Sequence, residues 1–196
     1  MLFDLIRKRR MKDIILAPFR NYMPITELPK QDRFNSFDWL MDVSDNHDLK
    51  STFYFQCGLG NHYRDCHFSL RHPAIKKLIE TIHERGHAIG IHPSYLTYNN
   101  PETLTGEYDY FKQVMDDYEI KQDTWGARMH FLRWKTPETL NYLNDVGLDY
   151  DTTLAYADHI GFRCGTCRDY PAFDVQSCRR LKIKIRPLII MDQTLF

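Results

Sequence analysis

The clearest hydrophobic period in the chain lies in HPAIKKLIETIHERG. Ile75, Leu78, Ile79 and Ile82 recur at helical spacing and form one stripe. Pro73 suits the first helical position and Gly86 the place just past the end. The same grammar returns twice. NNPETLTGEYDYFKQVMDDY predicts a helix with Asn100 as cap and Pro101 in the first turn. TPETLNYLNDVG predicts another, capped by Thr136, opened by Pro137 and stopped at Gly147. SFDWLMDVSDNHD sets Phe37, Leu40 and Met41 at helical spacing behind a cap at Ser36. Between the helices stand short runs that read as strands: STFYFQ, AIGIH, GARMHF and YDTTLAY. RLKIKIRPLIIMDQTL adds one or two more. Within it LKIKIR alternates with period two, which predicts an edge strand using lysine on its wet side to resist aggregation.

Strands that alternate with helices of this length imply βαβ units and an α/β fold built on a parallel sheet. Right-handed crossovers put every strand's C-terminal end on one rim, where sites gather in open sheets and barrels alike. His92 lies just beyond AIGIH, and Pro93 then ends the strand and sets the exit of the loop. His130 lies at the end of GARMHF, and Asp158 soon after YDTTLAY. Two histidines and an aspartate at equivalent strand ends make a metal or proton site as reasonable as a core histidine. His87 sits at the other end of its strand and reads as structural.

Composition narrows the classes. The 196 residues are 43% hydrophobic and 27% charged, which suits a globular domain with a sizeable core. The formal net charge is zero, so no overall field favours nucleic acid. No apolar run reaches the length of a membrane span, and MLFDLIRKRRMKDIIL lacks the order of a secretory signal. Five cysteines with no export signal predict reduced thiols and a cytoplasmic chain. GFRCGTC reads as a tight glycine turn with Cys164 and Cys167 packed inside, in preference to a zinc knuckle. IRKRRMK reads as a solvated helix face. The expected organisation is a basic, irregular segment over 1–35 and an α/β domain over 36–196.

TFYF, a helix and then GHAIGIH follow one another in an order that resembles polysaccharide deacetylases of the NodB-homology type, carbohydrate esterase family four. FDWLMD, GIHPSY, RMHFLRW and GFRCGTC look closer still to a bacterial subgroup of deacetylase-like proteins. The resemblance spans roughly Asp32 to Leu195. It implies a distorted (β/α) barrel and metal-dependent removal of N-acetyl groups from an envelope polysaccharide or a glycan precursor. Position by position it implies His92 as metal ligand and Arg128 as the arginine that orients a catalytic carboxylate. Asp151 or Asp158 falls near a later acidic motif. His130, by strand-end position, is the expected second metal ligand, and Tyr95 and Trp134 are the expected substrate-binding aromatics. The cofactor implied is a divalent metal, zinc before others, and the partner a glycan.

The chain departs from that family in three places. The family's opening pair of aspartates has only the isolated Asp13 and Asp32 to match it. Leu96 stands where the second metal histidine falls, and no histidine follows His159 to supply the late motif. The barrel is therefore expected to be incomplete at both ends. The competing reading is a non-catalytic carbohydrate-binding or structural remnant.

Overall fold

The computed structural model describes residues 35–66 and 68–194. The chain divides into two compact units, Met1–His47 and Asp48–Phe196. In the first, helix α1 (Phe37–Asn46) follows Ser36, whose side chain makes no capping bond, contrary to expectation. Asp13, Asp32 and IRKRRMK lie outside the described residues.

The second unit is α/β. In chain order it has β1 (Thr52–Phe55), α2 (Pro73–Glu84), β2 (Ala88–Ile91), α3 (Pro101–Asp117) and β3 (Gly126–Ala127). Then come α4 (Glu138–Asp145), β4 (Tyr150–Asp151), β5 (Tyr170–Asp174) and β6 (Arg179–Ile185). Among the described residues the strands form one sheet in the order β1-β2-β3-β4-β6-β5. β5 runs antiparallel and the rest are parallel. Its two ends are β1 and β5, and no described strand joins them into a barrel.

Helices α2 and α3 begin as the sequence predicts. Pro73 and Pro101 open them, and Asn100 Oδ1 accepts the Thr103 amide at 3.0 Å. Gly86 and Gly147 close α2 and α4 with φ of +78° and +89°, a region that a side chain would strain. Ile79 and Ile82 of α2 and Leu104, Phe111 and Met115 of α3 are fully buried, as are Ile89 and Ile91 of β2. Each such side chain contributes roughly 1.5–3 kcal/mol of burial.

Four predicted details differ. Thr136 does not cap α4. Its Oγ1 instead accepts Trp134 Nε1–H at 3.0 Å, and Thr139 Oγ1 accepts the Lys135 amide at 2.9 Å. GARMHF and YDTTLAY keep only two strand residues each. Beyond them, side chains take over the backbone's partners. Thr153 Oγ1 accepts the Met129 amide at 2.9 Å, and Asp151 Oδ2 accepts the Thr153 amide at 2.9 Å. LKIKIR alternates as read, burying Leu181, Ile183 and Ile185, but it is not an edge. The unpredicted β5 covers it, with a register shift between Pro171 and Phe173 where proline has no amide hydrogen to give. Finally, the thiols of GFRCGTC are not packed inside: Cys164 is half-buried and Cys167 exposed. Among the described residues no helix is long and apolar enough to cross a membrane.

Candidate functional site

Strand register builds the site. Phe55, Ile91, Ala127, Asp151 and Ile185 lie side by side across β1, β2, β3, β4 and β6. The next residue of each strand therefore forms a row at the carboxyl rim: Gln56, His92, Arg128, Thr152 and Arg186. Four of their amides are pinned by the neighbouring strand. His92 N donates to Phe55 O at 2.8 Å, and Arg128 N to Ile91 O at 3.1 Å. Thr152 N donates to Ala127 O at 2.9 Å, and Arg186 N to Asp151 O at 2.8 Å. Side chains alternate along a strand, so this row shares its face with Tyr54, Gly90, Gly126 and Tyr150. A Cβ on Gly90 would run into the Tyr54 ring, and one on Gly126 into the Tyr150 ring. The two tyrosines thus lie flat across the neighbouring strands. The Arg128 guanidinium rests 4.9 Å from the Tyr54 ring centre, and Arg186 lies 3.9 Å from that of Tyr150.

His130 reaches this row from a 3-10 turn, His130–Leu132, just past β3. Its Nδ1 stands 3.0 Å from His92 Nε2, with the rings edge to face. The proton positions follow from the neighbours. Gln56 Oε1 accepts the Cys66 amide at 2.7 Å, so the other end of that amide, Nε2, is the group 2.9 Å from His130 Nδ1. His130 Nδ1 is then an acceptor, and Nε2–H donates to the Arg64 carbonyl at 3.0 Å. Either tautomer of His92 leaves something unmet. If its Nε2 carries the hydrogen, Nδ1 is a buried acceptor with no donor in range, and the Arg128 backbone lies beside the ring. If Nδ1 carries it, two lone pairs face each other across 3.0 Å. Burial pushes the His92 imidazole down to about 4, and the nearby His130 adds to this, so the ring is neutral across the ordinary pH range.

Two nitrogen ligands of one zinc, each 2.0–2.1 Å away, stand roughly 2.9–3.4 Å apart. The His92–His130 spacing fits that. The anchoring of His130 Nε2 on a carbonyl, with Asp65 Oδ1 4.0 Å away, is also the arrangement that orients ligand histidines. The Gln56 amide and an ion would compete for the same lone pair of His130. Among the described residues no three His, Cys, Asp or Glu side chains are grouped to hold a metal. The chain's described part thus offers two donors of a set.

The other expected residues scatter. Arg128 joins the row and donates from Nε to Thr152 Oγ1 at 3.0 Å. Asp151 is fully buried on the opposite face, with Thr153 holding both oxygens. Burial pushes its carboxyl up to about 6. Asp158 is exposed and accepts from its neighbour His159 at 2.7 Å. Trp134 donates from Nε1 to Thr136 Oγ1. Tyr95 is central: its ring stacks on His62 at 4.2 Å and meets His130 edge-on at 6.3 Å. His87 is buried against Phe53 and accepts from the Ser51 amide at 3.4 Å, a structural role.

Several contributors were not read from the sequence. Gln56 ends STFYFQ, so the strand-end logic that found His92 reaches it too. Asp65 carries no pattern. It lies in the irregular GLGNHYRDC loop, yet its oxygens accept the Tyr95 amide at 2.7 Å and the His62 amide at 3.2 Å. Glu107 of α3 reaches the Ser94 amide at 2.9 Å and also accepts the Ser94 hydroxyl. Burial raises its carboxyl above the usual range. Asp65 and Glu107 together fix the loop that carries Tyr95.

Compared with known proteins, the chain finds no match among family models, curated proteins or solved structures.

Proposed function

We propose that this chain is a divalent-metal-dependent hydrolase of the polysaccharide deacetylase type, removing N-acetyl groups from an envelope glycan or its cytoplasmic precursor. The sheet would then be part of a distorted (β/α) barrel. The observation that carries the reading is the pair His92 Nε2 and His130 Nδ1, 3.0 Å apart at the carboxyl rim of a parallel sheet. His92 and His130 would hold the ion, zinc before others, and a bound ion of that kind polarises an amide carbonyl and acidifies water. Burial keeps His92 neutral and so ready to ligate. Arg128, in the same row, offers its remaining guanidinium hydrogens to charge that develops on the substrate's oxygen. Tyr95 supplies a ring edge beside the pair.

A second reading, a glycan-binding domain without catalysis, draws on one observation. Asp151 points to the other face and Asp158 binds His159, so neither carboxylate stands beside the histidines as a base.

Zinc calorimetry and acetate release from an N-acetylated oligosaccharide separate the two. The hydrolase reading expects zinc binding that weakens on acidification and falls at least about a hundredfold in His92→Ala, together with zinc-dependent acetate release that the variant loses. Zinc binding untouched by His92→Ala and His130→Ala would sink it. Glycan binding without acetate release would leave the second reading.

A further inference from the structure

Beside the histidine pair lies a surface of which the reading above uses only Tyr95. Tyr63, Arg64, Tyr95 and Phe131 meet there, and Arg133 backs them. The Arg64 guanidinium carbon stands 5.1 Å from the ring centres of both Tyr95 and Phe131, and 5.3 Å from that of Tyr63. Its Nε donates to Tyr63 Oη at 2.9 Å and its Nη1 to Tyr95 Oη at 3.4 Å. Arg133 lies 4.0 Å from the Tyr95 ring centre and donates to the Tyr95 carbonyl at 2.9 Å. Among the described residues neither arginine has a carboxylate partner. Asp65, next in the chain to Arg64, is buried and accepts backbone amides. The rings are left outside: Tyr63 is 78% exposed and Phe131 60%. Phe131 is held there by left-handed backbone, φ 56°, followed by Leu132 at φ 50°.

We propose that this surface binds an acidic sugar residue of the glycan, its ring on Phe131 and Tyr63 and its carboxylate on Arg64. The proposal deepens the glycan reading and rests on it. The physical case has two parts. A pyranose presents a face of C–H groups that packs on an exposed aromatic ring. A guanidinium with free hydrogens and no internal counter-ion is matched by a planar carboxylate, which it can grip with two bonds. A neutral sugar would satisfy the rings and leave the charge unanswered.

The test uses two tetrasaccharides by calorimetry on the full chain. One is chitotetraose, and the other alternates N-acetylglucosamine with glucuronate. The acidic one should bind about tenfold tighter, with the difference shrinking as salt rises. Arg64→Gln, at an exposed position, should remove most of that difference, lowering affinity for the acidic sugar well beyond any change in chitotetraose binding. Phe131→Ala should weaken both, with circular dichroism confirming that each variant is folded. Equal affinity for the two sugars, or a preference that survives Arg64→Gln, overturns the proposal. Neither result bears on zinc binding or acetate release, so failure here is distinguishable from failure of the hydrolase reading.

Discussion

The two halves of the sheet treat charge in opposite ways. On the side of β4, β5 and β6, Arg186, Asp174 and Asp151 are answered from within. Arg186 meets Asp169 through two nitrogens, at 2.9–3.2 Å. Asp174 is saturated by Asn141, Gln176 and Ser177, and these bonds hold its carboxyl below the usual range. Asp151 is closed on Thr153. On the side of β1, β2 and β3 the balance stays open. His92 Nε2 faces His130 Nδ1 at 3.0 Å, and Arg64 and Arg133 lean on rings instead of acids. A closed network stabilises a shape. An open one leaves bonding capacity that the fold itself does not use.

The largest expected effect tests the closed side. The carboxyl of Asp151 is raised from its ordinary 3.8 to about 6 by burial. Between those values the folded chain keeps a proton that the unfolded chain has released. Folding stability from this group is therefore full below about pH 4 and declines as pH rises through 6. Asp151→Asn cannot titrate, so its stability relative to wild type should improve by about 3 kcal/mol across that window. Denaturant unfolding at a series of pH values reads it. Parallel curves for the two proteins would mean that Asp151 is not the insulated carboxyl its burial implies.

A smaller effect sharpens the open side. Asp65 stands 4.0 Å from His130 Nε2 and anchors the Tyr95 loop. Asp65→Asn keeps its shape and removes its charge. Zinc affinity should fall by less than the roughly 10- to 100-fold that losing a hydrogen-bonded outer partner costs, because His130 Nε2–H keeps the Arg64 carbonyl. Unchanged affinity would show that this carboxylate serves the loop alone.

The smallest effect is predicted for the charge pair at the far end. Arg186 and Asp169 are partly exposed, at 46% and 37%. Asp169→Asn should cost less than about 1 kcal/mol and leave zinc binding alone. A loss of zinc binding there would break the division between the two halves.

By itself the sequence determined the helices, the strands other than β5 and the location of His92. Hydrophobic period, proline at helix starts and glycine at helix ends act within a few residues, so they are readable locally. The alternation of strand and helix then puts His92 and His130 on one rim. Tertiary structure alone decided what surrounds them. GARMHF and YDTTLAY have the composition of longer strands, but Thr153 from the neighbouring segment takes the Met129 amide and Asp151 takes the Thr153 amide, and each keeps only two strand residues. Asp151 lies one residue short of the rim, and a step of one along a strand reverses the face, so it parts from His92. Asp65 and Arg64 come from a loop without period, and Glu107 reaches Ser94 from a helix later in the chain. Contacts of that kind depend on where distant segments meet, and nothing in the local pattern of residues encodes the meeting.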